Sequence, residues 1–424
     1  PVLAVGTNGR VAWNQTQFFG DITDWYADEL ELDAEGAPVS TRFGAESRAL
    51  VAVEETFDVA DRPALGSVGR TETITRYETY DGRLITSIEG RAVDGPDDAG
   101  PGETAVNLLG DWVIPEDEDD DGIIRAISFD YTALDGPNFA RTLDDWGHAE
   151  TVEEMRASAG ALVAYSQNIV AADSTGSVLY LPYQVMPCRA HLPRDPDGRW
   201  SEGAHPNFLI DGTRFGGFTL PLTPEGRVDE SMGTTDSTCV VPADEYPAAI
   251  DPARGFVVSA NNDPGDMTLD NDLQNDPWYI GGPWHEDFRA HRIDERLRAM
   301  AGTIDEDGMA ALQADIKSPL GELMVPLVLE AIDAGRTAAA GDPPADSVEA
   351  RLAALYTASS ARFDEVETRL QGWRDRGFVA AGGVETFYAA APDANAANDA
   401  VPTTLFHPWL GPSDARVFGA PAGP

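Results

Sequence analysis

The sequence predicts an α+β protein with its strands first and its helices later, and three observations carry that reading. Over residues 1–135 apolar side chains alternate with period two in "RVAWNQT", "TETITRYETY", "GRLITSIEGR" and "GIIRAISFDYTAL", with turn-formers between them. From residue 285 onward the apolar period becomes that of a helix. The stretch from 181 to 250 is rich in Pro, Gly and Asp and predicts long surface loops, the usual material of a lid or binding wall. The chain therefore divides into a strand-rich part over 1–284 with loops at 181–250, a helical region over 285–380 and an irregular tail over 381–424.

Taken in order, the acidic run "PEDEDDDG" (115–122) reads as a solvated hairpin insertion rather than a calcium loop. "TVEEMRASAGAL" (151–162) opens on Thr-x-x-Glu, the signature of a capped helix. "QNIVAADSTGSVLY" (167–180) is two strands about a Ser-Thr-Gly reversal. Three apolar stripes at helical spacing follow: Ile293, Leu297 and Met300; Met309, Leu312 and Ile316; and Val348, Leu352, Leu355 and Tyr356. Pro319 and Pro326 interrupt or kink the second of these regions.

The net charge of −44 comes from 73 acidic residues against 29 basic ones, and all the basic residues except Lys317 are Arg. A surface this negative repels nucleic acid and anionic membrane, so small molecules or cations are the expected partners. No run of apolar residues is long enough for a membrane span. Cys188 and Cys239 match no zinc spacing; they are either one bridge, which requires an oxidising compartment, or two buried thiols.

Familiar catalytic signatures are absent: there is no G-x-S-x-G, H-E-x-x-H, Walker loop or post-strand G-x-G-x-x-G. His285 and His291 lie six residues apart, which on a helix puts them on different faces and argues against a metal pair.

The opening segment "VGTNGRVAWNQTQFFGDITD" resembles the G-H-N-G-x-x-A-W-G-x-T segment of the penicillin acylase family, N-terminal-nucleophile amidohydrolases. Further stretches agree in the same order: "SFDYTALDG" (128–136), "QNIVAADSTGSVLY", "GFVVSANNDP" (255–264) with "FRAHRIDERL" (288–297), and "MAALQADIKSPL" (309–320). The resemblance covers roughly residues 1–330 and implies the αββα sandwich of that class. It further implies an enzyme acting on linear amides, made by autoproteolysis, periplasmic or secreted, and connected with antibiotic chemistry. In this family the catalytic chain opens on a Ser exposed by self-cleavage, upstream of the matching hairpin. Pro1 is no nucleophile, so the chain is expected to be a fragment whose partners are a missing α chain and the N-terminal part of the β chain. A terminal Ser uses its own α-amino group as base, so the lack of a His triad is expected.

Position by position, the resemblance assigns the oxyanion-hole carboxamide to Asn261, the main-chain N–H donor to Gln17 and an active-site arginine to Arg289. It implies a structural calcium ion held by the Asp21 and Asp24 carboxylates, the Thr23 carbonyl and Asp272, with no organic cofactor. Val5 stands where the family's phenylacetyl pocket has a large aromatic, Gln15 and Phe19 flank the site, and Gln167 replaces a usual apolar residue. The smaller wall leaves room for a longer acyl group, making an acyl-homoserine lactone the alternative to a β-lactam side chain. "TRYETYDGRLI" departs from the family's T-x-H-G-P-V segment. A different class of function, a non-catalytic calcium-stabilised binding or structural protein of the same fold, follows if the upstream nucleophile is replaced.

Overall fold

The structure is a computed structural model that describes residues 3–136, 139–183, 185–229, 231, 237–265, 278–381 and 394–417. It separates into two compact units, Pro1–Asp287 and Phe288–Pro424.

In the first unit, a five-stranded antiparallel sheet runs in the order Gly6–Thr7, Val11–Gln17, Gln167–Asp173, Val178–Leu181, Ala249–Ile250. Alternation turns Val11 and Trp13 inward, opposite Ile169 and Ala171 on the neighbouring strand. These residues pack with Leu179 and Leu181 against Trp146 and Met155, which lie on the helices Phe139–His148 and Val152–Ser158. The second helix is capped as its sequence predicts, Thr151 accepting the Glu154 N–H. The first, over "FARTLDDWGH", was not foreseen. The Thr-Asn-Gly turn is held by Asn8, whose oxygen accepts the Val11 N–H at 2.9 Å while its nitrogen donates to the Ala149 carbonyl at 2.7 Å.

An eight-stranded sheet carries the other expected strands. Its order is Glu46–Ala49, Pro38–Phe43, Thr23–Leu32, Ile123–Tyr131, Leu84–Ile88, Arg70–Glu78, Val51–Val59, with Leu209–Asp211 added parallel to Thr23–Leu32. The two central strands bury one side each, Asp24, Tyr26, Asp28 and Leu30 against Asp130, Ser128, Ala126 and Ile124 in register. That buried face is apolar at the Leu30 end, where Ile85 and Leu108 join it, and polar at the Asp24 end.

One expectation for this unit changes and one open choice is decided. The acidic run is not a hairpin: Asp111–Pro115 pairs with Gly90–Val93 and Val106–Leu108 rather than with Ile123–Tyr131. Its bend is stabilised internally, Asp117 accepting the Gly122 N–H at 2.6 Å. The long loops do form as read, and Cys188 and Cys239 are bridged across them with Cα atoms 5.5 Å apart, which settles the choice between bridge and free thiols.

The second unit is helical: Phe288–Ala299, Glu306–Gln313, Pro319–Ala340, Val348–Ala358, Ser360–Asp375 and Ala394–Val417. Val325, Leu329, Leu370, Trp373, Phe378 and Phe406 form its core. Gly321 is needed there because a Cβ would lie 2.7 Å from the Trp373 ring. Pro319 occupies the first turn after the Ser318 cap, and the helix continues through Pro326 to Ala340. Of the three stripes, Leu297 is buried, but Met309, Ile316, Val348 and Leu355 are exposed; helical spacing sets which residues share a face, not whether a neighbour covers it. The segment read as an irregular tail is a helix over its described part. Pro402 has no N–H for the Asn398 carbonyl, which accepts from Arg376 at 3.3 Å instead. Phe406 lies 5.6 Å from Trp373, so packing overrides the local Pro signal. Among the described residues no helix is long and apolar enough to cross a membrane.

Candidate active site

The edge of the five-stranded sheet gathers two distant segments at the end of Val11–Gln17. The Asn261 side-chain nitrogen donates to the Gln17 carbonyl at 2.8 Å, across 244 residues of sequence. Asn168, buried on the adjacent strand, donates to the same carbonyl and to the Thr16 hydroxyl, each at 3.2 Å, and its own oxygen accepts from Tyr180 at 2.7 Å. Thr16 and Ser259 hydroxyls meet at 2.6 Å. Asn261 has φ 63°, a left-handed conformation that Asn tolerates better than other side-chain-bearing residues, and the turn aims its carboxamide back at the strand.

The chain beyond Gln17 is stitched to the segment before the second unit. Trp284 donates its indole N–H to the Phe18 carbonyl at 2.8 Å, and the His285 N–H donates to the Asn261 carbonyl at 2.9 Å. Phe19, also at positive φ (61°), meets the His285 ring edge-on at 5.1 Å. Gly281 has to be glycine: its φ is 122° and a Cβ would lie 2.6 Å from the Asp21 nitrogen.

The structure thus brings Asn261 and Gln17 together, with Gln167 opposite Gln17 in register and Gln15 two residues back on the same strand. Gln15 donates to the Ala4 carbonyl, which Trp13 also reaches at 3.0 Å, and Val5, next in the chain, is 51% exposed. Arg289 lies on Phe288–Ala299, in the second unit, with its side chain exposed. Asp272 lies outside the described residues. Asn168, Tyr180, Ser259 and Trp284 were not singled out from sequence, and His285 was weighed only as half of a metal pair. Nothing in their local pattern distinguishes them, since their roles come from pairing across more than one segment.

The carboxylates expected to hold calcium are engaged differently. Asp24 is fully buried, and the Arg189 Nε lies 2.9 and 3.0 Å from its two oxygens, with Nη2 at 2.8 Å from Oδ1. Arg189 Nη2 also donates to the Asp21 carbonyl at 2.8 Å and lies 3.5 Å from the Asp21 carboxylate; Nη1 reaches the Pro187 carbonyl at 3.4 Å. The Tyr279 hydroxyl sits 2.7 Å from Asp21 Oδ2 and 2.6 Å from Asn207 Oδ1. Burial pushes the Asp21 carboxyl up against the opposing pull of Arg189, and burial with the Asp21 charge raises the Tyr279 phenol. Burial alone would lower the Arg189 guanidinium, but Asp24 and Asp21 outweigh it and hold it firmly protonated. Calcium asks for six to eight oxygens at short range. A buried guanidinium among the two acids does not fit that ion. Separately, Asp117, Asp119 and Asp121, among the described residues, bring carboxylate oxygens within 4.8 Å of one another on the acidic bend.

Deeper in the sheet, Asp130 accepts the Phe218 N–H at 2.7 Å and the Tyr131 N–H at 2.9 Å. Burial, with the Asp135 and Asp24 charges, raises its pKa to about 8. An acid whose folded pKa exceeds its unfolded value of about 4 binds more protons when folded, so stability falls as pH rises between those values, by up to about 1.4 kcal/mol per pH unit. Asp130→Asn, which keeps an acceptor for Phe218, is expected to remove that slope. Urea unfolding across the window checks it, and an unchanged wild-type-like slope in the variant would dispose of the assignment.

Antiparallel sheets in one unit and helices in the other define a mixed α+β protein, and its candidate site is a carboxamide set against a strand-edge main chain. The penicillin amidase family matches residues 1–419, and the chain belongs to that family. It is similar to the penicillin acylase 2 proenzyme of Pseudomonas sp. (strain SE83), 25% identical over 408 residues that make up 95% of this chain and 39% of that protein. The chain thus spans well under half the length of that relative. Among solved structures it is similar to the thermostable penicillin G acylase from Alcaligenes faecalis, with TM-score 0.47 and 18% identity, over 83% of this chain and 48% of that one.

Proposed function

We propose that this chain supplies the oxyanion-binding wall of an amidase that hydrolyses linear N-acyl amides, with the attacking serine contributed by sequence outside these residues. Family membership supports amide hydrolysis, and the single observation that carries the reading is the 2.8 Å contact between the Asn261 carboxamide and Gln17. The bond to the Gln17 carbonyl orients the carboxamide toward the strand edge, and an amide nitrogen, with two hydrogens, is a donor of the kind such a site needs. Donors fixed before the reaction are what a developing oxyanion requires. The relative's name, a proenzyme, supports maturation by cleavage. The Cys188–Cys239 bridge supports an oxidising location, periplasmic or secreted. The exposed Val5 in place of an aromatic supports a longer acyl group than phenylacetyl.

The test is to produce the protein with its upstream coding sequence, allow it to mature, and assay phenylacetyl amides beside long-chain acyl-homoserine lactones. Hydrolysis that favours the long acyl chain is expected. Matured protein that cleaves neither amide would end the enzymatic reading and leave the non-catalytic one.

A further inference from the structure

We propose that Arg189 is a built-in cation that does in this chain the work expected of a calcium ion, so that the joint between the site's segments is independent of metal. The guanidinium touches five oxygens on three residues: both Asp24 carboxylate oxygens, the Asp21 carbonyl and carboxylate, and the Pro187 carbonyl. It is 1% exposed and lies 5.2 Å from the Tyr279 ring. A dication in the same place would face a permanent positive charge and carboxylate oxygens already accepting N–H bonds.

The position is built for this residue. Arg189 has φ 53°, a left-handed conformation that side-chain-bearing residues rarely adopt, and such strain persists where surrounding structure over-determines it. The surrounding structure here is the Cys188–Cys239 bridge next door and the Pro187–Val240 pairing beside it. The consequence reaches the candidate site through the backbone. Asp21 and Asp24 lie four and seven residues after Gln17, and Tyr279 leads into the segment that pairs with Gly20 and holds Asn261 through His285. Arg189 is accordingly a positioning residue, not a catalytic one.

The experiment is thermal unfolding of the full chain in chelator and in millimolar calcium. It is done in an Asp119→Asn background so that the exposed acidic bend does not report. No shift between the two conditions is expected. Arg189→Gly, which suits the positive φ, removes the cation and vacates its five oxygens. It is expected to lower the melting temperature by roughly 10 °C in chelator, with partial recovery in calcium that the parent does not show. The proposal is overturned if the parent itself loses stability in chelator and regains it in calcium. It is equally overturned if Arg189→Gly in chelator melts with the parent. Should Arg189→Gly fail to fold, the parent measurement alone decides.

Discussion

Under the proposed amidase reading, Asn261→Asp should lower kcat of the matured protein by about 10²- to 10³-fold and, because a carboxylate cannot donate to the Gln17 carbonyl, also cost some stability. Aspartate keeps the shape of the side chain and tolerates the left-handed backbone at φ 63°, but its carboxylate cannot donate and places negative charge where negative charge develops. The loss corresponds to roughly 2.7–4 kcal/mol of transition-state stabilisation. It should appear in kcat and kcat/KM together, because the interaction is made fully only in the transition state. Asn261→Ala should lose as much activity and also some stability, since alanine carries strain at that φ and abandons the 2.8 Å bond to Gln17. Steady-state kinetics with an amide substrate decide the matter. Parental kcat in the Asn261→Asp enzyme would show that the carboxamide only closes a turn.

The second large effect concerns stability. Arg83→Met should cost about 3–5 kcal/mol, because it strands a buried carboxylate. Arg83 Nη1 lies 2.9 and 3.1 Å from the two Asp28 oxygens and 3.1 Å from the Ser128 hydroxyl, and its Nε lies 3.1 Å from Asp81. Arg83 and Asp28 side chains are both inaccessible to solvent, and the guanidinium rests 4.3 Å over the Tyr26 ring. Burial alone would raise the Asp81 carboxyl, but the Arg83 charge together with hydrogen bonds from the Thr79 hydroxyl, the Gly217 N–H and Arg83 itself outweighs it and holds the group below its ordinary value. Once the guanidinium is gone, buried Asp28 keeps the Ser128 hydroxyl but no ion-pair partner among the described residues. The paired change Arg83→Met with Asp28→Leu should recover most of the loss, since a buried ion pair contributes little net stability over an apolar pair of similar volume. Urea unfolding of the three proteins checks both claims. A loss under about 1 kcal/mol in the single variant would mean that water reaches Asp28 after all.

How much of this was legible in advance can be argued residue by residue. The strand-then-helix order, the 167–180 reversal and the Thr151 cap follow from side-chain period and from turn and cap chemistry, which are local. Asn261 and Gln17 were reachable because each sits in a recognisable motif. Thr23–Leu32 was not read as a strand, although Asp24, Tyr26 and Asp28 alternate there on the same face as Leu30. The helix over Ala394–Val417 was missed because a tail rich in Ala, Pro and Gly reads as irregular, while Phe406 and the Arg376–Asp399 pair at 2.6 Å hold it against its neighbour.

By itself the sequence determined the family and the order of the elements, because those depend on short-range pattern, and the resemblance pointed to Asn261 and Gln17, which the structure brings together. Only the tertiary structure decided what meets the buried acids. A strand's alternation says which face a carboxylate takes, but the group that neutralises it comes from elsewhere in the chain. Arg189 reaches Asp24 across 165 residues and Arg83 reaches Asp28 across 55. In a low-dielectric interior such charges must be paired or lost, so the fold, and not local spacing, decided that an arginine meets acids for which the resemblance implied a metal.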